Sequence, residues 1–79
     1  MFYVYILQSG NFPEHFYVGL THNLKLRFKE HNEGKAQHTN KYKPWKIKCY
    51  IAFDDQAQAK IFEQYLKTHA GRRFQKRYF

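Results

Sequence analysis

Two short runs near the start of the chain carry apolar residues at nearly every position. Residues 2–7 are rich in β-branched and aromatic side chains, and residues 16–21 repeat this character, whereas residues 8–15 contain Gly, Asn and Pro. Continuous apolar runs of this length are typical of strands covered on both faces, and the segment between them is typical of a loop. The pattern therefore predicts a β-hairpin.

The predicted hairpin brings two tyrosines together. Side chains that face each other across paired strands point to the same side of the sheet. If Val4 and Val18 share a core face, Tyr5 and Tyr17 therefore share the other face. A slip of one residue in the register would separate the two phenols.

A polar capping residue, followed by apolar residues four positions apart, predicts a helix after the hairpin. Asn23 is suited to cap a helix over residues 24–33, and Gly34 is suited to end it. Leu24 and Phe28 lie one turn apart, which predicts the inner side of this helix.

On this helix Arg27 and His31 are also four residues apart, so their side chains project together. Each has an ordinary structural explanation. Arg27 can pair with Glu30 or Glu33 on the surface, and His31 can lie as a cation near the negative end of the helix dipole. Residues 35–43 are polar and basic without an apolar period, and they predict an exposed loop.

Alternation predicts a third strand over residues 45–53, and a second helix follows it. The strand side chains expected on one inner side are Ile47, Cys49, Ile51 and Phe53. An Asp-Asp pair is suited to cap the helix, over residues 56–70, and Gly71 is a natural stop. Its expected buried residues are Ala59, Phe62, Tyr65 and Leu66. Glu63 lies at the edge of this stripe, and residues 72–79 are expected to add one or two basic helical turns.

The order of these elements is ββαβα, with helices against a small three-stranded antiparallel sheet, so the predicted fold class is α+β. No internal repeat or linker interrupts the pattern, and the length suits a single domain over residues 1–79. Aromatic residues make up 20% of the chain. Large rings can therefore fill a small core without disulfides or a structural metal.

Charge and the remaining composition narrow the range of partners. Fourteen Lys and Arg against six Asp and Glu give a net charge of +8, which favours a nucleic acid. No apolar run approaches the ~20 residues that span a bilayer, and no Gly-rich loop predicts a small-molecule cofactor. Cys49 is alone, which excludes disulfide scaffolds and cysteine-based zinc sites. No charged leader precedes the first strand, so a cytoplasmic location is expected.

The tyrosines, the helical pair and the late carboxylate together resemble a known family. The segments Y-V-Y at residues 3–5 and Y-V-G at residues 17–19 are similar to the paired motifs that name the GIY-YIG nuclease superfamily, with a tyrosine where the first glycine usually stands. Arg27 and His31 look like the family's helical Arg and the His or Tyr one turn on, and Glu63 matches its late glutamate. The resemblance covers essentially the whole chain and is closest in kind to compact, free-standing bacterial members.

This resemblance implies metal-dependent hydrolysis of DNA phosphodiester bonds. Glu63 would hold one Mg²⁺ or Mn²⁺ ion. Tyr5 and Tyr17 would orient the water and the phosphate. One of the two tyrosines, with Tyr5 favoured, would act as general base. Arg27 would bind phosphate oxygens, and His31 would relay the proton from a tyrosine. Low sequence specificity and a role in DNA repair or recombination are expected, and RNA is not excluded as a substrate.

Basic residues outside this constellation are expected to contact the phosphate backbone rather than only to aid solubility. They are Lys25, Lys41, Lys43, Arg72, Arg73, Lys76 and Arg77.

Alternative functions stay open at this point. Leu20 stands where a lysine often follows the second motif, and no late asparagine aligns after Glu63. A non-catalytic nucleic-acid-binding module that keeps the fold is therefore one alternative, and a protein-interaction domain is another. For Glu63 itself, an ion pair with Lys60 or Lys67 is the structural alternative.

Overall fold

Three strands form one antiparallel sheet with the first strand at its centre. β1 (Phe2–Ser9) pairs with β2 (Phe16–Thr21) on one side and with β3 (Trp45–Phe53) on the other. The computed structural model describes all residues, Met1–Phe79. The predicted hairpin and the third strand are confirmed.

Three helices accompany the sheet. α1 (Leu24–Asn32) follows the hairpin, whereas α2 (Gln56–Leu66) and α3 (His69–Tyr78) follow β3. A single 3₁₀ turn, Asn40–Tyr42, lies between α1 and β3. The order ββαβαα confirms the α+β class and adds one helix to the predicted order. None of the helices has the length and apolar character needed to cross a membrane.

The face of the sheet that carries Val4 packs against α2. Ala59 and Leu66 are the buried contacts from this helix, and both were predicted from its periodicity. Tyr65, expected in the same core, is 40% exposed. Its ring packs edge-on against Phe74 of α3, with the ring centroids 5.9 Å apart. The prediction of a buried Tyr65 is therefore wrong, because this side chain contacts the neighbouring helix at the rim of the core.

The opposite face of the sheet has a second core beneath α1. Tyr5, Leu7 and Trp45 form its buried cluster, and Leu24 and Phe28 pack against it from the helix. The predicted inner side of α1 is therefore confirmed. Because α1 covers this face, its inward side chains pack against the cluster that contains Tyr5.

The ends of α1 fix its position on the sheet. Asn23 Oδ1 accepts the backbone N–H of Leu26 at 3.1 Å, as expected of a cap. Gly34 follows the helix with φ of +77°, a left-handed conformation that glycine adopts without steric cost. The side-chain amide of Asn32 exchanges two hydrogen bonds with the backbone of Trp45, which ties the end of α1 to β3.

A register shift in β3 divides the inner side predicted for this strand. Cys49 lies opposite Ile6, but Ile47 lies opposite Leu7, so Lys48 is an extra residue in the strand. Since side chains alternate along a strand, one extra residue moves everything on its far side to the other face. Ile47 consequently joins the face that carries the tyrosines, and the prediction of one inner side is wrong at this residue.

The second predicted helix ends earlier than expected, and the helical turns expected over residues 72–79 belong to a helix that begins at His69. α2 ends at Leu66, and the Thr68 side chain begins α3 by accepting the N–H of Gly71 at 3.1 Å. Gly71 was predicted to end a helix, yet it is buried within α3. A Cβ at this position would lie 1.8 Å from the carbonyl oxygen of Tyr65. The glycine is therefore needed for the close approach of α3 to the end of α2, not as a stop.

Most of the segment over residues 35–43 is exposed, as its polarity predicts, but two of its residues are buried. Ala36 and Thr39 are buried, with Thr39 only 1% exposed. The indole N–H of Trp45 donates to the carbonyl oxygen of Thr39 at 2.8 Å. A polar side chain can be buried when its hydrogen bonds are made inside the protein, and the composition of a segment does not reveal such partners.

Candidate active site

The two hairpin tyrosines lie side by side on the face of the sheet covered by α1. Tyr5 pairs with Gly19, and Tyr17 pairs with Leu7, so the two phenols are diagonal neighbours on one face. Their ring centroids are 6.3 Å apart. The parity of the hairpin therefore produces the shared face that it predicts.

The glycine of the second motif makes room for the first tyrosine. A Cβ on Gly19 would lie 2.3 Å from both Cζ and Oη of Tyr5. The Tyr5 ring thus lies flat over the backbone of β2, and its hydroxyl reaches across the strand. Any larger residue at this position would displace the phenol from its hydrogen-bond partner.

That partner is His31, which α1 directs at the sheet. The Tyr5 hydroxyl lies 2.8 Å from His31 Nε2, and His31 Nδ1 lies 2.7 Å from Thr39 Oγ1. The imidazole is fully buried. Its ring centroid is 5.1 Å from that of Tyr17, so both tyrosines contact it. The helix therefore places an imidazole nitrogen at the end of the Tyr5 side chain.

Burial keeps both members of this hydrogen bond neutral. It raises the pKa of Tyr5 to about 12, with a further contribution from Tyr17, while the Arg27 guanidinium partly offsets the rise. Burial also lowers the pKa of His31 to about 4, and the positive charge of Arg27 acts in the same direction. At neutral pH the pair is therefore a phenol and an uncharged imidazole.

Arg27 lies one turn before His31 and brings a permanent positive charge to the site. Its Nη1 donates to Glu30 Oε1 at 3.1 Å, and this carboxylate raises the pKa of the guanidinium. The side chain is about one-third exposed. Because a guanidinium has five N–H donors, its ion pair leaves donors free for an anion that approaches Tyr5.

Glu63 is held apart from the tyrosine cluster, on the helix that packs against the opposite face. Its Oε2 lies 2.6 Å from Lys67 Nζ, and its Oε1 lies 3.4 Å from Lys60 Nζ. The side chain is 6% exposed. Burial opposes ionisation of the carboxyl, but the hydrogen bonds and charges of the two lysines outweigh it and lower its pKa. Glu63 is therefore a carboxylate at neutral pH.

Glu63 is also the residue best suited to hold a hard cation. No cluster of three or more His, Cys, Asp or Glu side chains is present. Glu63 Oε1 is buried, and the Lys60 ammonium at 3.4 Å is its ion-pair partner without the geometry of a hydrogen bond. A carboxylate oxygen held this loosely fits a divalent ion that takes one protein ligand and completes its shell with water and phosphate.

A basic groove runs from Tyr17 on the edge strand β2 to Lys67 at the end of α2. The groove has a volume of about 770 Å³, and Tyr17 lines it together with Lys67, the ion-pair partner of Glu63. Its further basic lining residues are His15, Lys48, Arg72 and Lys76. Glu14 is the acidic residue of the lining. The groove is therefore a positively charged path that runs past Tyr17 and reaches Lys67, the ion-pair partner of Glu63.

The predicted backbone contacts fall in different places. Arg72 and Lys76 are one turn apart on α3 and both line the groove, whereas Arg73 and Arg77 do not. Three others are exposed away from the groove, namely Lys25, Lys41 and Lys43. Lys25 lines a smaller pocket with Tyr3 and Tyr50, and Lys41 lies over the Tyr42 ring.

Sequence reasoning missed Thr39 and Lys67 as members of the site. Thr39 lies in a polar stretch without periodicity, and only its contact with His31 identifies it. The helical spacing predicts Lys67 as an ion-pair partner of Glu63 and does not predict that it lines the groove. Its place in the groove depends on where α3 begins, which no local pattern revealed.

Comparison with known proteins finds one matching family and two similar proteins. The sequence model of the protein family described as the GIY-YIG catalytic domain matches residues 1–78. A UPF0213 protein of Clostridium perfringens is 38% identical over 68 residues, which cover 85% of this chain and 71% of that protein. The structure-specific endonuclease subunit SLX1 homolog of Giardia intestinalis is 31% identical over 74 residues, which cover 89% of this chain but 20% of that protein. No solved structure matches the chain.

The chain thus spans about a fifth of the length of the SLX1 homolog. The family match nevertheless covers nearly every residue of the fold, including both tyrosine motifs, α1 and the helix with the buried glutamate. The chain belongs to the GIY-YIG family of endonuclease catalytic domains.

Proposed function

We propose that the chain is a metal-dependent endonuclease that hydrolyses DNA phosphodiester bonds with low sequence specificity. The observation that carries this proposal is the buried hydrogen bond between Tyr5 and His31, with the Arg27 guanidinium beside it and a basic groove adjoining it. In-line attack by water needs a proton acceptor, positive charge at the phosphate and a path for the flanking backbone. These are the groups that the cluster and the groove offer.

Tyr5 and His31 supply the route for the proton. As the water oxygen bonds to phosphorus, its proton passes to Tyr5 Oη, and the phenol's own proton passes to His31 Nε2. Because the pKa values of about 12 and about 4 keep both groups neutral beforehand, the two transfers occur together with the attack. The bond from phosphorus to the leaving oxygen breaks in the same step, which leaves a neutral phenol, an imidazolium and an alkoxide that then takes a proton from solvent.

Arg27 binds the phosphate oxygens in this proposal. Its free donors lie next to Tyr5 and can hold the phosphate so that the water lies between phosphorus and the phenol. Glu30 keeps the guanidinium in place through their ion pair. Arg27 thereby positions the anion and neutralises charge that develops on it.

Glu63 would hold the divalent ion, Mg²⁺ or Mn²⁺, which would supply positive charge at the phosphate and the leaving oxygen. Its buried Oε1, which forms an ion pair with Lys60 but no hydrogen bond, supports this assignment. Lys60 and Lys67 keep the carboxyl ionised, which is the state that binds a cation.

Lysine and arginine in the groove favour the phosphate backbone as the bound feature of the substrate. Such contacts give affinity without reading the base sequence, which supports low specificity and leaves RNA as a competing ligand. We infer DNA repair or recombination as the setting, because these processes produce branched DNA and a similar protein is named as a structure-specific endonuclease subunit.

Cleavage of end-labelled DNA tests the proposal. Duplex, single-stranded, flap and branched substrates are incubated with Mg²⁺, Mn²⁺ or a chelator. Cleavage should need the metal and should fall by at least ~10²-fold in Tyr5→Phe, which keeps the ring but removes the proton route. Glu63→Gln should cause a similar loss. Two controls alter exposed side chains outside the cluster, Tyr50→Phe and Glu33→Gln, and should retain activity.

The ion pairs of Glu63 with Lys60 and Lys67 favour a second candidate, a nucleic-acid-binding module without catalysis. In that case the lysines, not a metal, satisfy the carboxylate. Protein that binds every substrate but cuts none, with a Glu63→Gln variant that binds like the wild type, would support the binding module and contradict the nuclease.

A further inference from the structure

Thr39 is a buried polar residue that contacts His31 but takes no part in the proposed proton transfer. Its hydroxyl contacts His31 Nδ1 at 2.7 Å and the carbonyl oxygen of Ala36 at 3.3 Å. Its own carbonyl accepts the indole N–H of Trp45 at 2.8 Å. The residue is thus held from both sides behind the imidazole, on the ring edge remote from Tyr5.

Counting donors and acceptors favours one arrangement of the hydrogens. A threonine hydroxyl has one proton, and the carbonyl oxygen of Ala36 can only accept. When the hydroxyl proton points to that carbonyl, a lone pair of Thr39 Oγ1 faces His31 Nδ1, which must then carry a proton. A neutral imidazole has a single N–H, so Nε2 holds the free lone pair.

The other end of the chain of hydrogen bonds leads to the same assignment. A guanidinium has donors only, and the positive charge of Arg27 acts on Tyr5, so it favours an orientation in which the phenol proton points away from Arg27. The single phenol proton is then free to point at His31 Nε2. The remaining titratable groups around the imidazole are Tyr17 on β2 and Glu30 on α1, and neither contributes a hydrogen bond to it.

We propose that Thr39 is a positioning residue that fixes the Nδ1–H tautomer of His31 and so aims the Nε2 lone pair at the Tyr5 hydroxyl. Without this acceptor, the Nε2–H tautomer becomes accessible. That tautomer would direct an N–H at the phenol and could not take its proton. The contribution of Thr39 to catalysis rests on the proposed function, whereas the tautomer itself does not.

Nuclear magnetic resonance decides the tautomer without any activity measurement. Long-range ¹H–¹⁵N correlation spectra of the ¹⁵N-labelled protein at pH 7 should show His31 as pure Nδ1–H, while exposed His38 serves as an internal reference for a solvated ring. Thr39→Val removes the acceptor at nearly constant volume and should shift His31 towards Nε2–H. Thr39→Ser keeps the hydroxyl and should retain Nδ1–H.

A wild-type spectrum with Nε2–H, or an unchanged tautomer in Thr39→Val, would overturn the inference. The wild-type spectrum gives this answer even if the valine variant does not fold.

Cleavage kinetics then test the role of the tautomer. We expect kcat at pH 7 to fall ~10²-fold in Thr39→Val with KM nearly unchanged, and to stay within a few-fold of the wild type in Thr39→Ser. Equal kcat in the wild type and the valine variant would contradict the positioning role. Wild-type protein that cuts nothing would overturn the proposed function and the part of Thr39 in it, while the spectra would still decide the tautomer.

Discussion

His31 shows how strongly the fold can control a single residue. In water an imidazole titrates near pH 6.5, but the buried ring of His31 has a pKa of about 4. Desolvation is the main cause, and the nearby Arg27 charge adds to it. The same burial raises the pKa of its partner Tyr5. One hydrogen bond therefore couples two groups that the protein keeps uncharged.

This coupling predicts acid sensitivity that is specific to His31. The unfolded chain binds a proton at this residue near pH 6.5, whereas the folded chain does so only near pH 4, so stability falls as the pH drops through that window. The free energy of unfolding should decrease by about 2–3 kcal/mol between pH 6.5 and 4.5. Urea denaturation at several pH values measures it.

The His31→Gln variant should be less stable but should lose this pH dependence, and His38→Gln, at an exposed position, should keep it. Glu63, with its lowered pKa, adds acid sensitivity only below its usual range near pH 4.5. Identical pH slopes in the wild type and His31→Gln would contradict the neutral, buried imidazole.

At the scale of elements, the junction of α2 and α3 decides the shape of the basic groove. Thr68 starts α3 immediately after α2 ends, and Gly71 allows the new helix to lie against the carbonyl of Tyr65. Gln75 Nε2 then donates to the carbonyl of Leu66 at 2.8 Å. These contacts set the angle between α2 and α3. The angle in turn decides which basic residues of α3 line the groove.

Gly71→Ala should destabilise the protein, against the usual preference for alanine. Inside a helix that exchange normally gains about 1 kcal/mol, but here a Cβ would lie 1.8 Å from a backbone oxygen. We expect a net loss of about 2–4 kcal/mol in the free energy of unfolding. Chemical denaturation measures the change.

Ala70→Gly, at the exposed neighbouring position of α3, should cost no more than about 1 kcal/mol. A Gly71→Ala protein as stable as the wild type would show that α3 does not approach α2 as described.

For the whole molecule, the distribution of charge matters more than its total. The net charge of +8 could be spread evenly, but Lys48, Lys67, Arg72 and Lys76 line one groove around the β2 edge. Focused positive potential attracts a phosphate backbone and gives a steep dependence on salt. Tyr17 in the same groove connects that binding path to the tyrosine cluster.

Paired substitutions on α3 test whether the groove binds DNA. The double variant Arg72→Gln/Lys76→Gln should weaken binding and should make the slope of log K against log salt less steep by about 2, one for each lost phosphate contact. Fluorescence anisotropy with a labelled duplex over a salt series measures both quantities.

The matched control is Arg73→Gln/Arg77→Gln, which lowers the net charge from +8 to +6 on the same helix but lies outside the groove. It should change the slope by less than 1. Equal effects of the two double variants would mean that the total charge, and not the groove, determines affinity.

The sequence by itself determined the features that depend on neighbours along the chain. The hairpin follows from two apolar runs, the shared face of Tyr5 and Tyr17 from strand parity, and the direction of Arg27 and His31 from the helical repeat. These are local geometries, so a short window of residues contains the information. The ionic surroundings of Glu63 follow from the same rule, since Lys60 and Lys67 lie one turn away.

Only the tertiary structure decided which distant groups meet. The extra residue at Lys48 moved Ile47 to the other face, Gly71 allowed α3 to lie close against the end of α2, and Thr39 became a partner of His31. Each depends on a contact between elements far apart in sequence, where packing and hydrogen bonding override local preference. The pKa values of Tyr5 and His31 belong to this class, because desolvation is a property of the surroundings and not of the residue.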